Sequence, residues 1–295
     1  MAFFQYAPLD HLKQSVRLLQ LCQGDGAFIE CYLFDALLHD PQGVISYEAL
    51  SYTWGDTDKP YEIEVDGRLM AVTKNLYLAL QHLRYTDQDR ILWIDAICID
   101  QNNDKERGHQ VRQMTCIYEQ AEQVLIWLGD GTADTDHLFD HLTRVKQHAT
   151  IYDRIKEKPS RKDGLTHLLR HPWFNRVWII QEVAKARSAQ VLCGTRSASA
   201  SDIAMLPLIL GIEPNTHCQS ILDIMPGSSR KKSWWSQSRE LYTLLLKFRK
   251  SQATDPRDAI FALLGISSNA SNATILIPDY EKSVEEVIQD TIFFL

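Results

Sequence analysis

Three groups of residues in this 295-residue chain carry side chains able to do chemistry. Asp95 and Asp100 lie in the run 91–101, ILWIDAICIDQ; Ser51, Tyr52, Thr53, Trp54, Gly55 and Asp56 form a polar and aromatic run; and Glu182 ends WFNRVWIIQE at 173–182. A pair of aspartates can hold a divalent ion, bind ribose hydroxyls or move protons. Either one can equally cap a turn or a helix start. A metal needs more oxygen or histidine ligands than the sequence places here, so a metal-free reading is preferred over metal-dependent hydrolysis. The run 51–56 suits stacking of a base and approach of a phosphate to backbone amides. Its plainer role is a tight turn with Trp54 packed on the core. Glu182 follows Asn175 and Trp178 at i, i+3 and i+7, an indole one turn from a carboxylate. A partly desolvated glutamate of this kind gains a raised pKa and can stabilise developing positive charge. The alternative is a surface glutamate paired with Arg176 or Lys185.

Elements must bring these groups together. The apolar run at 91–94 has no alternation and reads as a strand buried on both faces, as does VLIWL at 124–128. A helix over 104–121, with Val111, Met114, Ile117, Tyr118 and Ala121 on one face, connects them into a βαβ unit, so Asp95 and Asp130 should open on one sheet edge. Before them, 15–22 and 28–38 flank Gln23-Gly24-Asp25-Gly26 as a hairpin, YEALSYT at 47–53 is a strand, and 61–65 with 69–72 form a second hairpin about Asp66-Gly67. Thr73 caps a helix carrying Leu76, Leu80 and Leu83. After them comes a polar stretch with a helix around Leu138, Leu142 and Val145 and a loop at Lys158-Pro159-Ser160. A helix opened by Pro172 follows, with Trp173, Val177, Ile180 and Ala184 as its buried stripe. A strand at 189–193 precedes helices over 202–210, 238–250, 256–264 and 283–294. Arg230, Lys231 and Lys232 ahead of Trp234 and Trp235 read as a solvated loop, with an anionic partner as the sharper alternative.

Composition restricts the function classes. A net charge of −7 gives no general attraction to nucleic acid. No apolar run reaches membrane-spanning length, and the start of the chain lacks a signal-peptide core, so a cytoplasmic protein without membrane partners is expected. The six cysteines show no C-x-x-C pair, which points to reduced, mostly buried thiols. Neither G-x-G-x-x-G nor a P-loop occurs. No arrangement of serine and histidine marks a nucleophile triad.

The motifs YEALSYTWGD at 47–56, LWIDAICIDQ at 92–101, Glu106-Arg107 with Gln110, Val111 and Met114, VLIWLG at 124–129, and PWFNRVW with Gln181-Glu182 closely resemble the fungal heterokaryon incompatibility (HET) domain in order and spacing. The resemblance covers roughly 47–194. Asp255-Pro256-Arg257-Asp258, Ala262-Leu263-Leu264-Gly265 and Pro278-Asp279-Tyr280 look like the region that commonly follows. Asp100 departs from it, since the family more often has asparagine there. The resemblance implies a role in nonself recognition ending in cell death. It also implies distant kinship with Toll/interleukin-1 receptor (TIR) domains, some of which cleave NAD+ with a glutamate in a W-x-x-x-E-like helix, the pattern that Trp178 and Glu182 match. The implied architecture is α/β, with a TIR-like or flavodoxin-like, mostly parallel sheet flanked by helices. An N-terminal hairpin extension over 1–46 precedes the HET domain at 47–194, and a mainly helical extension over 195–295 follows it. Glu182 would be catalytic. Residues 51–56, Asp95, Arg176 and Trp178 would bind the dinucleotide, NAD+ being a consumed substrate and no cofactor or metal being needed. Self-association on activation and a separate nonself-sensing partner are implied as well. A non-enzymatic module using the same fold for homotypic contacts is the competing expectation.

Overall fold

The computed structural model describes residues 2–40, 43, 45–55, 57–147, 159–271 and 276–295. Asp56 and Lys158 lie outside them. The first half of the chain is mainly strand: β1 (Ser15–Leu21), β2 (Glu30–Leu37), β3 (Glu48–Tyr52), β4 (Tyr61–Val65) and β5 (Arg68–Val72) come before helix α1 (Lys74–Leu83). Next come β6 (Arg90–Trp93), the single turn α2 (Asp95–Cys98), α3 (Asp104–Gln120) and β7 (Val124–Trp127). Helices α4 (Ala133–Gln147) and α5 (Pro159–Leu169) lead to a 3-10 turn at Pro172–Asn175, α6 (Ile179–Lys185), β8 (Ala189–Cys193) and β9 (Arg196–Ser199). The remainder is helical: α7 (Ala200–Leu210), α8 (Thr216–Leu222), α9 (Ser228–Lys232), α10 (Leu241–Phe248), α11 (Asp258–Leu264) and α12 (Val284–Phe294).

All nine strands form one sheet in the order β5-β4-β2-β1-β6-β3-β7-β8-β9. The expectation of a mostly parallel sheet needs correction, because the sheet is mixed. Its parallel centre is β6-β3-β7-β8, where every residue of β7 is buried, as the unbroken apolar run demanded. Hairpins then extend it, with antiparallel pairs inside each hairpin and a parallel pair where β4 meets β2. β1 pairs with β2 and also lies against β6, so the N-terminal hairpin continues the central sheet directly. β9 closes the other edge against β8. β6 and β7 are not neighbours, since β3 inserts between them and pairs in parallel with both.

Local chemistry set many of these elements. Thr73 accepts from the Leu76 amide and starts α1. Asp66 and Gly67 have φ of 51° and 73°, the left-handed pair that a tight two-residue hairpin requires. Ser283 and Glu286 form a complete capping box on α12. Pro159 and Ser160 begin α5 and do not form a loop. The helix expected from Pro172 is interrupted: the chain extends at Arg176, where the Val177 amide donates to the Gln252 carbonyl at 3.0 Å and the Gln252 amide to Asn175 at 2.6 Å. Tertiary pairing to a segment far along the chain overrides the helical periodicity, though Trp173, Val177, Ile180 and Ala184 are all buried as expected.

Candidate functional site at the carboxyl ends of the central strands

β3 ends in Ser51 and Tyr52, both buried, and the chain leaves the sheet through Thr53, Trp54 and Gly55, the last with φ of 78°. Asn75, in the first turn of α1, holds this exit. Its side-chain amide donates to the Thr53 carbonyl at 2.6 Å, while its Oδ1 accepts from the Trp127 indole at 3.0 Å. Asn75 was not singled out in the sequence. Only its place two residues after the Thr73 cap and beside the β3 and β7 ends reveals the role.

Glu182 is 1% exposed, against the expectation of a surface ion pair. Its Oε1 lies 3.8 Å from Arg176, and its Oε2 has no hydrogen-bond partner among the described residues. Burial pushes the carboxyl up to about 7, opposed by the Arg176 charge and the Ser51 hydroxyl and reinforced by Asp95. Ser51 Oγ in turn accepts from the Trp173 indole at 2.8 Å. Lys185, the other proposed partner, reaches Glu119 instead, at 3.6 Å.

Arg176 is fixed because its guanidinium donates to the Tyr52 carbonyl. From there its charge acts on Asp95, Tyr52, Tyr118 and Glu182 together. Asp95, at the end of β6, accepts from the Trp54 indole at 3.0 Å and from the Ala96 amide at 2.8 Å, and burial raises its pKa against those stabilising contacts. Two carboxyls thus share one guanidinium under the rim formed by 51–54. Glu182 resists ionisation because its surroundings exclude water, and half-buried Asp95 does so through partial desolvation.

Other expected residues fall elsewhere. Asp100 takes the plain role of turn former, accepting from the Asn102 amide at 3.1 Å. Asp130 does follow β7 on the same edge of the parallel strands as Asp95, as expected, but it is exposed there and its charge bears on Cys193. The Trp178 indole donates to Asp258 Oδ2 at 3.0 Å, so the indole linked to Glu182 through Ser51 is Trp173. The basic cluster is neither a solvated loop nor an open anion site at Arg230, whose guanidinium donates to the Ala184 carbonyl at 2.8 Å. All six cysteines are free, and burial drives the Cys98 thiol up to about 12.

The structure is a mixed α/β sheet with carboxylates gathered at the carboxyl ends of its parallel strands, the edge where open α/β sheets place their ligand crevice. Residues 47–182 match the family model described as heterokaryon incompatibility protein (HET). The chain is similar to heterokaryon incompatibility protein 6, OR allele, of Neurospora crassa, with 29% identity over 91% of this chain and 49% of the relative. It therefore spans about half the length of the curated relative it matches. No solved structure matches it. Among the described residues no helix is long and apolar enough to cross a membrane.

Proposed function

We propose that this chain is an effector module of fungal heterokaryon incompatibility that hydrolyses NAD+ at the nicotinamide–ribose bond, and that loss of the dinucleotide triggers cell death. One observation carries the reading: Glu182, buried and with one oxygen unpartnered, converges with Ser51, Asp95 and Arg176 from three distant stretches of sequence at the ends of β3 and β6. The unpartnered Oε2 is free to accept from a ligand hydroxyl, which would offset the cost of an unsatisfied buried polar atom. The parallel strands, taken in chain order, lie as second, first, third and fourth, the flavodoxin-like order, whose ligand crevice sits at the strand ends. This order supports kinship with TIR domains.

In the reaction the bond from C1′ of ribose to the nicotinamide nitrogen breaks, and nicotinamide leaves with the electron pair. Water adds at C1′ and loses a proton. Glu182 accepts hydrogen bonds from the ribose hydroxyls and stabilises the oxocarbenium-like transition state. Arg176 balances the carboxylate and offers donors to phosphate. The exposed face of Trp54 supplies a stacking surface. Concentrated protein incubated with NAD+ should release nicotinamide, and Glu182→Gln should lower the rate at least a hundredfold. No release under conditions that drive assembly overturns the reading.

The near-complete enclosure of Glu182 favours a second reading, a non-enzymatic self-association module in which the carboxylate braces the rim. A Glu182→Ala variant that still kills fungal cells at matched expression would establish it. In either reading a nonself-sensing partner supplies the trigger in the cytoplasm.

A further inference from the structure

Helix α6, which carries Glu182, has seven residues, and a helix of that length does not hold itself in place. Both of its ends are fastened by side chains from beyond Gly194. At the amino end, Trp178 accepts the Glu182 amide on its carbonyl at 3.3 Å, while its indole donates to Asp258 Oδ2 at 3.0 Å. The other oxygen of Asp258 accepts from the Tyr280 hydroxyl at 2.6 Å. The Tyr280 ring is held between two guanidiniums, Arg107 at 4.3 Å and Arg257 at 5.2 Å from its centre. Arg257 is itself clamped by Asp255, at 2.9 and 2.6 Å, and donates to the carbonyls of Tyr280 at 2.8 Å and Lys282 at 2.7 Å.

At the carboxyl end, Arg230 donates to the carbonyls of Ala184 at 2.8 Å and Ala186 at 3.2 Å. Those carbonyls lack partners inside the helix, and the negative end of the helix dipole favours a cation there. The helix is therefore held at a fixed height and rotation by groups that contact neither Ser51 nor Arg176 in any hydrogen bond described above.

We propose that Asp258, Tyr280 and Arg230 are positioning residues for Glu182, acting through Trp178 and the last carbonyls of α6 to hold its carboxyl under the rim of 51–54. The inference rests on Glu182 being the working carboxylate. It gives the Asp-Pro-Arg-Asp and Pro-Asp-Tyr segments a task in the site, although residues 230, 258 and 280 all lie outside the matched stretch 47–182. With the latch released, α6 can turn or fray, and Glu182 moves from Ser51 and Arg176 toward water, where a carboxyl ionises normally.

The test uses the whole chain with 13C-labelled glutamate carboxyls, comparing wild type with Asp258→Ala, Tyr280→Phe and Arg230→Met. The Glu182 resonance, assigned by its loss in Glu182→Gln, should titrate near 7 in the wild type. In the variants its midpoint should fall by a unit or more toward 4.5, with nicotinamide release falling at least tenfold in parallel. A latch that merely stabilised the fold would lower the melting temperature and leave this titration unmoved; that result in folded protein overturns the inference. Tyr280→Phe removes one hydroxyl and keeps the ring between its guanidiniums, so it remains readable if Asp258→Ala does not fold. A wild type that releases no nicotinamide, but whose Glu182 titration responds to the latch variants, discards the hydrolase reading and retains the positioning one.

Discussion

Glu182 makes a stability prediction of definite sign. Its folded pKa, about 7, stands above the ordinary 4.5 because burial penalises the ionised form, opposed by Arg176 and Ser51 and aided by Asp95. Below pH 4.5 both folded and unfolded chains hold the proton, and no penalty exists. As pH rises toward 7 the unfolded chain ionises first, so stability is lost across that window and levels off above it. The full penalty is about 3 kcal/mol. Glu182→Gln escapes it. Urea unfolding should show the stability of the variant relative to wild type rising by about 2–3 kcal/mol between pH 4 and pH 8. A difference that does not change with pH would mean the carboxyl is not desolvated. Ser51→Ala removes the acceptor of the buried Trp173 indole. It should cost about 1–3 kcal/mol in the same measurement. It should also raise the Glu182 midpoint further, because the Ser51 hydroxyl favours the ionised form.

At the scale of elements, the joint between β1 and α3 depends on a buried ion pair. Arg17 and Glu106 are 2% and 1% exposed. Arg17 donates to both carboxylate oxygens, and to the carbonyls of Cys98 at 3.2 Å and Ala7 at 2.7 Å. Glu106 also accepts the Asp100 amide at 2.8 Å. Removing one partner strands the other charge, so Arg17→Met should cost about 3–5 kcal/mol. Changing Glu106 to Leu on that background should recover part of the loss, and a double-mutant cycle by chemical unfolding measures the recovery. Packing between α3, α6 and the end of α11 leaves no space at Gly265, where a methyl would lie 1.9 Å from Thr115 Oγ1 and 3.0 Å from Gln181 Nε2. Gly265→Ala should therefore destabilise by about 1–3 kcal/mol, read as a lower urea midpoint at unchanged slope.

Across the whole molecule, the sheet and the helices after β9 behave as one packed body in which α6 is supported from both sides. A chain ending at residue 194 loses Arg230, Asp258 and Tyr280 together, and exposes the faces of α3 and α6 that α11 covers. Such a fragment should bind a hydrophobic dye and lack a sharp thermal transition, whereas the full chain unfolds cooperatively. If self-association completes the proposed site, specific NAD+ hydrolysis should rise with protein concentration. A rate per mole independent of concentration, measured over a hundredfold range, would remove self-association from the mechanism.

Much of the strand framework was legible in residue order, because doubly buried strands declare themselves as unbroken apolar runs, and hairpins by Asp-Gly. Ser51, Tyr52, Trp54 and Asp95 stood out as candidates through the rule that strand ends carry chemistry, and Glu182 with Arg176 through helical spacing and the family resemblance. Residue order could not show that β3 slips between β6 and β7, that Arg176 leaves the helix to pair with Gln252, or that Trp178 turns to Asp258, because each depends on a partner tens of residues away. Nor could it distinguish an exposed Glu182 from a sealed one, since helical spacing is the same in both. Sequence determined the elements, whose causes are local: side-chain branching, capping and turn propensity. Tertiary structure alone decided which charges share water-poor space, because desolvation and electrostatic coupling are set by distances in three dimensions.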